Sequence, residues 1–290
     1  MDLEQLQPQL FNTFQKVLEK DRLSHAYLFA GGFGSYAMAL YLSRSLFCTD
    51  KVGAFPCGKC RNCQLIERGE FADVTEVAPV NQVIKTDTIR DLVRSFSQSG
   101  VEGNRQVFIV HQADRMHANA ANSLLKVIEE PQSDIHIFLL TTDLEGILPT
   151  IRSRTQLFHF PKQESFIFDY LIQGGLLKDQ AQIVTNYAQS LEEVEHVAQD
   201  KSFFDLAYQA QSFLNHWQKG SKRALLEAAK LASYADEKEK QDKIWRLLEI
   251  YISKELASKW GRQALQSLWQ ARKMNRSNVA FQSCLERLIL

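Results

Sequence analysis

The amino-acid sequence predicts an α/β protein, with a doubly wound parallel sheet in residues 1–162 and helices thereafter. Short apolar runs at 26–30, 107–110 and 135–141 have the length of buried strands, and they alternate with stretches of helical periodicity. Strands that alternate with helices at this spacing are typical of a parallel sheet covered by helices. After Pro161 the strand pattern stops, and the remaining sequence is rich in Ala, Leu, Gln, Lys and Glu at helical spacing.

Length and composition indicate more than one compact domain. The chain has 290 residues, of which 45% are hydrophobic, so it can form sizeable cores. Its 34 Lys and Arg balance 34 Asp and Glu, which argues against a strongly basic nucleic-acid-binding module. The N-terminus lacks a basic leader with an apolar run, and no stretch approaches the ~18 apolar residues of a membrane span. We therefore expect a cytoplasmic protein without membrane contacts.

Local patterns define the other elements of the α/β part. Apolar residues on one helical face predict a lead-in helix over 8–20, and a helix that begins near Asn119 is stopped by Pro131. The other predicted elements, in chain order, are a helix through 38–42, a strand at 72–77, a helix from Thr86 to about Gly100 that carries Phe96, and a last strand at 156–160.

The glycine turn after the first strand has the context of a phosphate-binding (Walker A) loop, which reads G-x-x-x-x-G-K-[ST]. Gly31 fills the first position and Gly34 lies within the turn. Tyr36, Ala37 and Met38 stand where the second glycine, the lysine and the Mg²⁺-binding hydroxyl are required. The turn therefore keeps the shape of the loop without its charged chemistry. An ordinary turn between strand and helix remains an alternative interpretation.

A second nucleotide motif is altered in the same way. An ATPase of this architecture ends the strand at 107–110 with Asp-Glu, where Asp belongs to the metal shell and Glu positions the attacking water. His111 and Gln112 occupy those positions. A neutral imidazole is a poor ligand for Mg²⁺, which prefers oxygen, and an amide is no general base. Asp114 lies beyond the expected register. Each residue alone could be a solvated side chain, but two altered motifs together favour a chain that does not hydrolyse ATP.

Four cysteines form a compact metal-binding pattern. Cys48, Cys57, Cys60 and Cys63 have the spacing C-x8-C-x2-C-x2-C, and tetrahedral Zn²⁺ takes four such ligands. The sequence offers no evident fifth ligand, His or carboxylate, so we expect a closed structural site. Disulfides or free thiols are the alternative. Cys284 lies far away on a predicted helix and is expected in a core.

Arg154 is a candidate functional residue between a turn and the last strand. A guanidinium is always charged, and its fork suits phosphate oxygens, so Arg154 could act as an arginine finger. A surface ion pair would explain the same residue.

Together these segments resemble the bacterial clamp loaders, the AAA+ subunits of the DNA polymerase III holoenzyme. The segments that carry the resemblance are His-Ala-Tyr-Leu-Phe at 25–29, the glycine turn, the cysteine insertion, Asn-x-Leu-Leu-Lys-x-x-Glu-Glu-Pro at 122–131, Phe-Leu-Leu-Thr-Thr at 138–142 and Thr-Ile-Arg-Ser-Arg at 150–154. The ATP-hydrolysing subunits of this family keep the loop lysine and the Asp-Glu pair. The delta-prime type often lacks them, and this chain is similar to that type.

The resemblance implies a domain organisation and a role for Arg154. It implies an AAA+ (RecA-like) domain at 1–162 with a zinc module at 48–63, a small helical lid at 163–205 and a helical collar, the oligomerisation domain, at 206–290. The family's Ser-Arg-Cys motif matches Ser153 and Arg154, with Thr155 in place of cysteine. By that match, Arg154 completes the ATP site of a neighbouring subunit.

The resemblance also implies a function and partners. The chain would be the non-hydrolysing stator of a five-subunit ring that loads the sliding clamp onto primed DNA. Its partners would be the gamma/tau ATPase subunits and delta, with the clamp contacted indirectly. Structural Zn²⁺ is the expected cofactor. The chain would be a component of the DNA polymerase III holoenzyme, a DNA-directed DNA polymerase, and we expect the chain itself neither to bind nor to hydrolyse ATP. The alternatives are an ATP-hydrolysing AAA+ subunit and a zinc-dependent DNA-binding protein, which zero net charge disfavours.

Overall fold

The computed structural model describes residues 2–95, 105–131 and 133–290. The chain divides into two compact units. The first is Met1–Gln163 with Gln189–Leu191, and the second is Glu164–Ala188 with Glu192–Leu290. Among the described residues, no helix combines the length and apolar character that would let it cross a membrane.

The first unit is built on a five-stranded sheet with the order β2-β3-β4-β1-β5. Its strands are β1 (Ala26–Ala30), β2 (Val74–Val77), β3 (Arg105–Val110), β4 (Asp134–Thr141) and β5 (Gln156–His159). Every neighbouring pair is parallel, which confirms the predicted parallel sheet. Because the strands share one direction, the segments that follow β1, β3 and β4 lie at the same edge, where sheets of this class hold their ligands.

Helices cover both faces of this sheet. They are α1 (Leu3–Leu6), α2 (Pro8–Glu19), α3 (Ser35–Phe47), α4 (Arg61–Glu67), α5 (Thr86–Ser95), α6 (Ala118–Glu129) and α7 (Pro149–Arg152). One core packs α2, α3 and α4 around aromatic residues such as Phe14 and Phe29. The other packs α5, α6 and α7 around aliphatic residues such as Leu124 and Ile137. The expected continuation of α5 through Phe96 lies outside the described residues.

Proline sets the end of α6. Glu130 is not helical, with φ −136° and ψ 78°, because the ring of Pro131 disfavours the helical conformation in the residue before it. The sequence predicted a helix from about Asn119 to Glu130; the stop before Pro131 agrees with the structure, but the last helical residue is Glu129.

All the regular secondary structure described in the second unit is helical. Its helices are α8 (Glu164–Gln173), α9 (Lys178–Tyr187), α10 (Leu191–Gln199), α11 (Lys201–Gln218), α12 (Arg223–Tyr234), α13 (Lys238–Ser253), α14 (Lys259–Arg276) and α15 (Phe281–Ile289). Trp245 is fully buried. Arg246 of α13 pairs with Glu193 of α10, with Nη1 2.7 Å from Oε1, and its guanidinium lies 4.0 Å from the ring centroid of Tyr187. The finer division into a lid and a collar stays a prediction.

Candidate functional site

The glycine turn after β1 joins the strand to α3 through two glycines with positive φ. Gly31 and Gly34 adopt φ +115° and +97°, which side chains of L-residues rarely adopt. A Cβ at Gly31 would lie 2.2 Å from the backbone oxygen of Phe160, so only glycine fits there. The turn leads directly into the N-terminus of α3 at Ser35.

Other segments of the same unit fill the space around this turn. The side chain of Gln7 is buried, and its Nε2 donates to the backbone oxygens of Phe33 (2.8 Å) and Pro161 (2.7 Å). A Cβ on Gly34 would lie 3.0 Å from Leu3 Cδ1. The backbone N–H of Leu191 donates to Gly32 O at 3.1 Å. The turn is therefore packed from both α1 and the segment 189–191.

The positions of the loop lysine and hydroxyl hold apolar side chains. Met38 is fully buried and belongs to the core of α2, α3 and α4. Ala37 carries no charge. Neither residue can neutralise a β/γ-phosphate or offer an oxygen to Mg²⁺.

Tyr36 joins the altered loop to the altered strand end. Its hydroxyl donates to Glu76 Oε1 at 3.0 Å, and its ring centroid lies 4.9 Å from that of His111. His111 Nε2 lies 2.7 Å from Glu76 Oε2. The structure thus brings together two residues that the sequence singled out, Tyr36 and His111, through a carboxylate on β2.

Glu76 is committed to this network as a hydrogen-bond acceptor. The hydrogen bond from His111 holds the pKa of Glu76 below its ordinary value, with a smaller contribution from Tyr36, although burial acts in the opposite direction. The sequence analysis did not identify Glu76. Its only signal was a charged residue inside a short strand with valines at both ends.

Asp114 serves the end of β4. Its Oδ1 accepts a hydrogen bond from Thr141 Oγ1 at 2.6 Å, and its side chain is 9% exposed. Arg115 Nε lies 3.4 Å from its other oxygen. These contacts give Asp114 a structural role in joining the segments after β3 and β4.

Arg154 lies at the surface, just after α7, with 40% of its side chain exposed. Its Nε donates to Glu129 Oε1 at the end of α6. Its Nη1 lies 3.2 Å from both the backbone oxygen of Thr150 and the hydroxyl of Ser153. The guanidinium is therefore oriented by three acceptors of its own unit.

Thr155 accommodates the departure from the Ser-Arg-Cys motif. Its Oγ1 donates to the backbone oxygen of Ile151 at 3.0 Å, so the hydroxyl is bonded to the helix that precedes Arg154. Arg152 has a different partner, since its Nη1 lies 3.5 Å from Glu145 Oε1.

The four predicted cysteine ligands converge. Their sulfur atoms all lie within 4.8 Å of one another. Cys48 and Cys60 have sulfurs 3.9 Å apart, and four sulfurs bound to Zn²⁺ at ~2.3 Å would form a tetrahedron with edges of about 3.8 Å. Backbone N–H groups also approach the sulfurs, as from Cys57 to Cys48 (3.3 Å) and from Cys60 to Cys57 (3.2 Å). The group can therefore hold a metal ion.

The thiols of this group differ in acidity. Burial alone would raise the pKa of Cys60, but hydrogen bonds from Cys63 and Thr49 outweigh it and lower that pKa to about 5. Burial, together with the hydrogen bond to Cys60, raises the pKa of Cys63 to about 12. One sulfur thus ionises easily, and the charge of a bound divalent metal would favour ionisation of the others.

A sequence model of the family described as DNA polymerase III, delta subunit, matches residues 6–164, more than half of the chain. The chain belongs to this family. Among its relatives, the delta′ subunit of Bacillus subtilis (strain 168) is 40% identical over 205 residues, or 70% of the chain. The tau/gamma subunit of Haemophilus influenzae is 36% identical over 144 residues, or 49% of the chain. The resemblance to delta-prime clamp-loader subunits is confirmed.

These matches cover only part of each relative. The matched region spans 62% of the Bacillus subtilis delta′ subunit and 21% of the Haemophilus influenzae tau/gamma subunit. A solved structure of a DNA polymerase III gamma-subunit-related protein from Thermotoga maritima superimposes with a TM-score of 0.59, covering 96% of both chains at 20% identity. At that identity the structural similarity shows only that the two chains share a fold.

Proposed function

We propose that this chain is a non-hydrolysing, delta-prime-like subunit of the replicative clamp loader. The observation that supports it best is the Tyr36–Glu76–His111 network, which stands at the loop and strand-end positions that an ATPase needs for Mg²⁺ and water. Phosphoryl transfer depends on positioning and charge neutralisation. The loop offers no lysine, and the carboxylate of Glu76 is already engaged by two donors.

The proposed partners are ATP-hydrolysing gamma/tau subunits and the delta subunit, with primed DNA and the sliding clamp engaged as part of the complex in the cytoplasm. In this ring, residues 163–205 form the lid and 206–290 the collar. Arg154 supplies an arginine finger to the neighbouring ATP site, because it is exposed and its guanidinium suits phosphate oxygens.

The proposed cofactor is one structural Zn²⁺, held by Cys48, Cys57, Cys60 and Cys63. The sulfur spacing fits a tetrahedron, and the four thiolates complete its shell. When bound, the ion supplies a cross-link between the end of α3 and the start of α4, whereas backbone N–H groups orient the sulfurs.

The experiment is reconstitution of the ring from this chain and the gamma/tau and delta subunits of the same organism, followed by clamp- and DNA-stimulated ATP hydrolysis. Arg154→Ala should leave the ring assembled by size exclusion, since an exposed arginine contributes little to stability. Hydrolysis should fall by as much as ~10³-fold at the one site that Arg154 completes. Arg154→Lys should rescue poorly because an ammonium lacks the fork.

Arg152→Ala is the matched control, because Arg152 pairs with Glu145 and is not the arginine of the Ser-Arg-Cys motif. Equal losses for the two variants, or unchanged hydrolysis in an assembled Arg154→Ala ring, would refute the finger. ATP turnover by the isolated chain would refute the non-hydrolysing function.

A further inference from the structure

We infer that Glu129 is the positioning residue for Arg154, holding the guanidinium by Nε and leaving Nη2 for an incoming anion. This inference rests on the proposed function of Arg154. The Nε–H of Arg154 donates to Glu129, and Nη1 lies within hydrogen-bond distance of Thr150 O and Ser153 Oγ, so two of the three guanidinium nitrogens are engaged within the unit. In the described part of the chain, Nη2 makes no hydrogen bond and remains available to an incoming anion.

Both partners are attached to rigid elements. Glu129 is the last residue of α6, where Pro131 ends the helix. Arg154 follows α7, and its backbone N–H donates to Ile151 O at 3.0 Å. Ile151 and Ile128, each next to one of these segments, are buried in the same core. The distance between the two backbones is therefore set by packing, and the ion pair fixes the remaining side-chain freedom.

The exposure of the pair indicates why Glu129 positions Arg154 without competing for it. The side chains are 40% and 45% exposed, so water screens their attraction and Glu129 binds Arg154 only weakly. An unpaired arginine side chain would lose the rotational freedom of several bonds on binding the phosphate. A tethered one has already lost most of that freedom.

The test compares Glu129→Ala and Glu129→Gln in the reconstituted ring, with Glu145→Ala as the control. Glu145 is also an exposed carboxylate paired with an arginine, Arg152. Glu129→Ala should lower kcat about two- to tenfold at the one site that Arg154 completes, the rate equivalent of ordering one long side chain. The KM for ATP should not change, because the finger acts in the transition state. Glu129→Gln retains an acceptor oxygen and should keep most of the rate.

A double variant separates positioning from a structural effect. If Glu129 acts through Arg154, Glu129→Ala combined with Arg154→Ala should be no slower than Arg154→Ala alone. Additive losses, an unchanged rate, or a faster Glu129→Ala ring would each overturn the inference while leaving the finger intact. No effect of Arg154→Ala would instead refute the proposed function itself.

Discussion

Replacing Gln7 tests how the degenerate loop is closed. Gln7→Ala removes two hydrogen bonds, from Nε2 to Phe33 O and to Pro161 O. Phe33 is buried, so its carbonyl would lose its partner at about 1–3 kcal/mol, whereas the exposed Pro161 can turn to water at about 0.5–1.5 kcal/mol. The free energy of unfolding of the first unit should therefore fall by about 1.5–4.5 kcal/mol. No ATP binding should appear, because Ala37 still supplies no charge.

Hydrogen–deuterium exchange of peptides from β1 and α3, followed across a urea series, measures this change. All four tryptophans (Trp217, Trp245, Trp260 and Trp269) lie in the second unit, so their fluorescence is an internal reference. Gln9→Ala, an exposed position on α2, is the matched control.

Gln7→Met separates the hydrogen bonds from packing. Methionine keeps the approximate volume but donates nothing, so most of the loss should remain. A Gln7→Met protein as stable as the wild type, or nucleotide binding by Gln7→Ala, would refute the reasoning.

Three further predictions concern the metal site, the pH dependence and the second unit. Metal analysis should find one Zn²⁺ per chain, and Cys63→Ser should lower the occupancy and speed hydrogen exchange within 48–63 while the sheet stays protected, because the metal stabilises only this insertion. Urea titrations at several pH values should show that the first unit loses stability as the pH falls below 4.5, the ordinary pKa of Glu76. The folded pKa of Glu76 is depressed, so its contribution is complete above that value and lost as the pH falls through the folded pKa; Glu76→Gln should remove this loss. Arg246→Lys should lower the stability of the second unit by about 1–3 kcal/mol in tryptophan-monitored unfolding, because the paired contacts to Glu193 need the fork. An equal loss in Arg223→Lys, an exposed position on α12, would contradict the last of these.

Local pattern was sufficient for the five strands and the longer helices of the first unit and for the cysteine site, whereas the short helices α1, α4 and α7 were not predicted. The strand at 26–30 and the end of α6 before Pro131 were predicted correctly, because apolar periodicity and proline act over a few neighbouring residues. The cysteine cluster was predictable for the same reason, since three of its four ligands lie within seven residues of one another. The replacements at Ala37, Met38 and His111 were also evident, because a motif is defined by residue type at a fixed spacing.

The partners of those residues were decided only by the tertiary structure. Gln7 meets Pro161 across 154 positions, and Glu129 meets Arg154 across 25. Glu76 reaches His111 because β2 and β3 are neighbours in the sheet, and several strand orders are compatible with the same strand and helix pattern. Packing of the apolar cores decides which polar side chain comes within hydrogen-bond distance of which acceptor. The spacing of residues along the sequence does not predict these pairs. The sequence by itself therefore determined which chemistry this chain lacks, whereas the fold determined what fills the place of that chemistry and what holds Arg154.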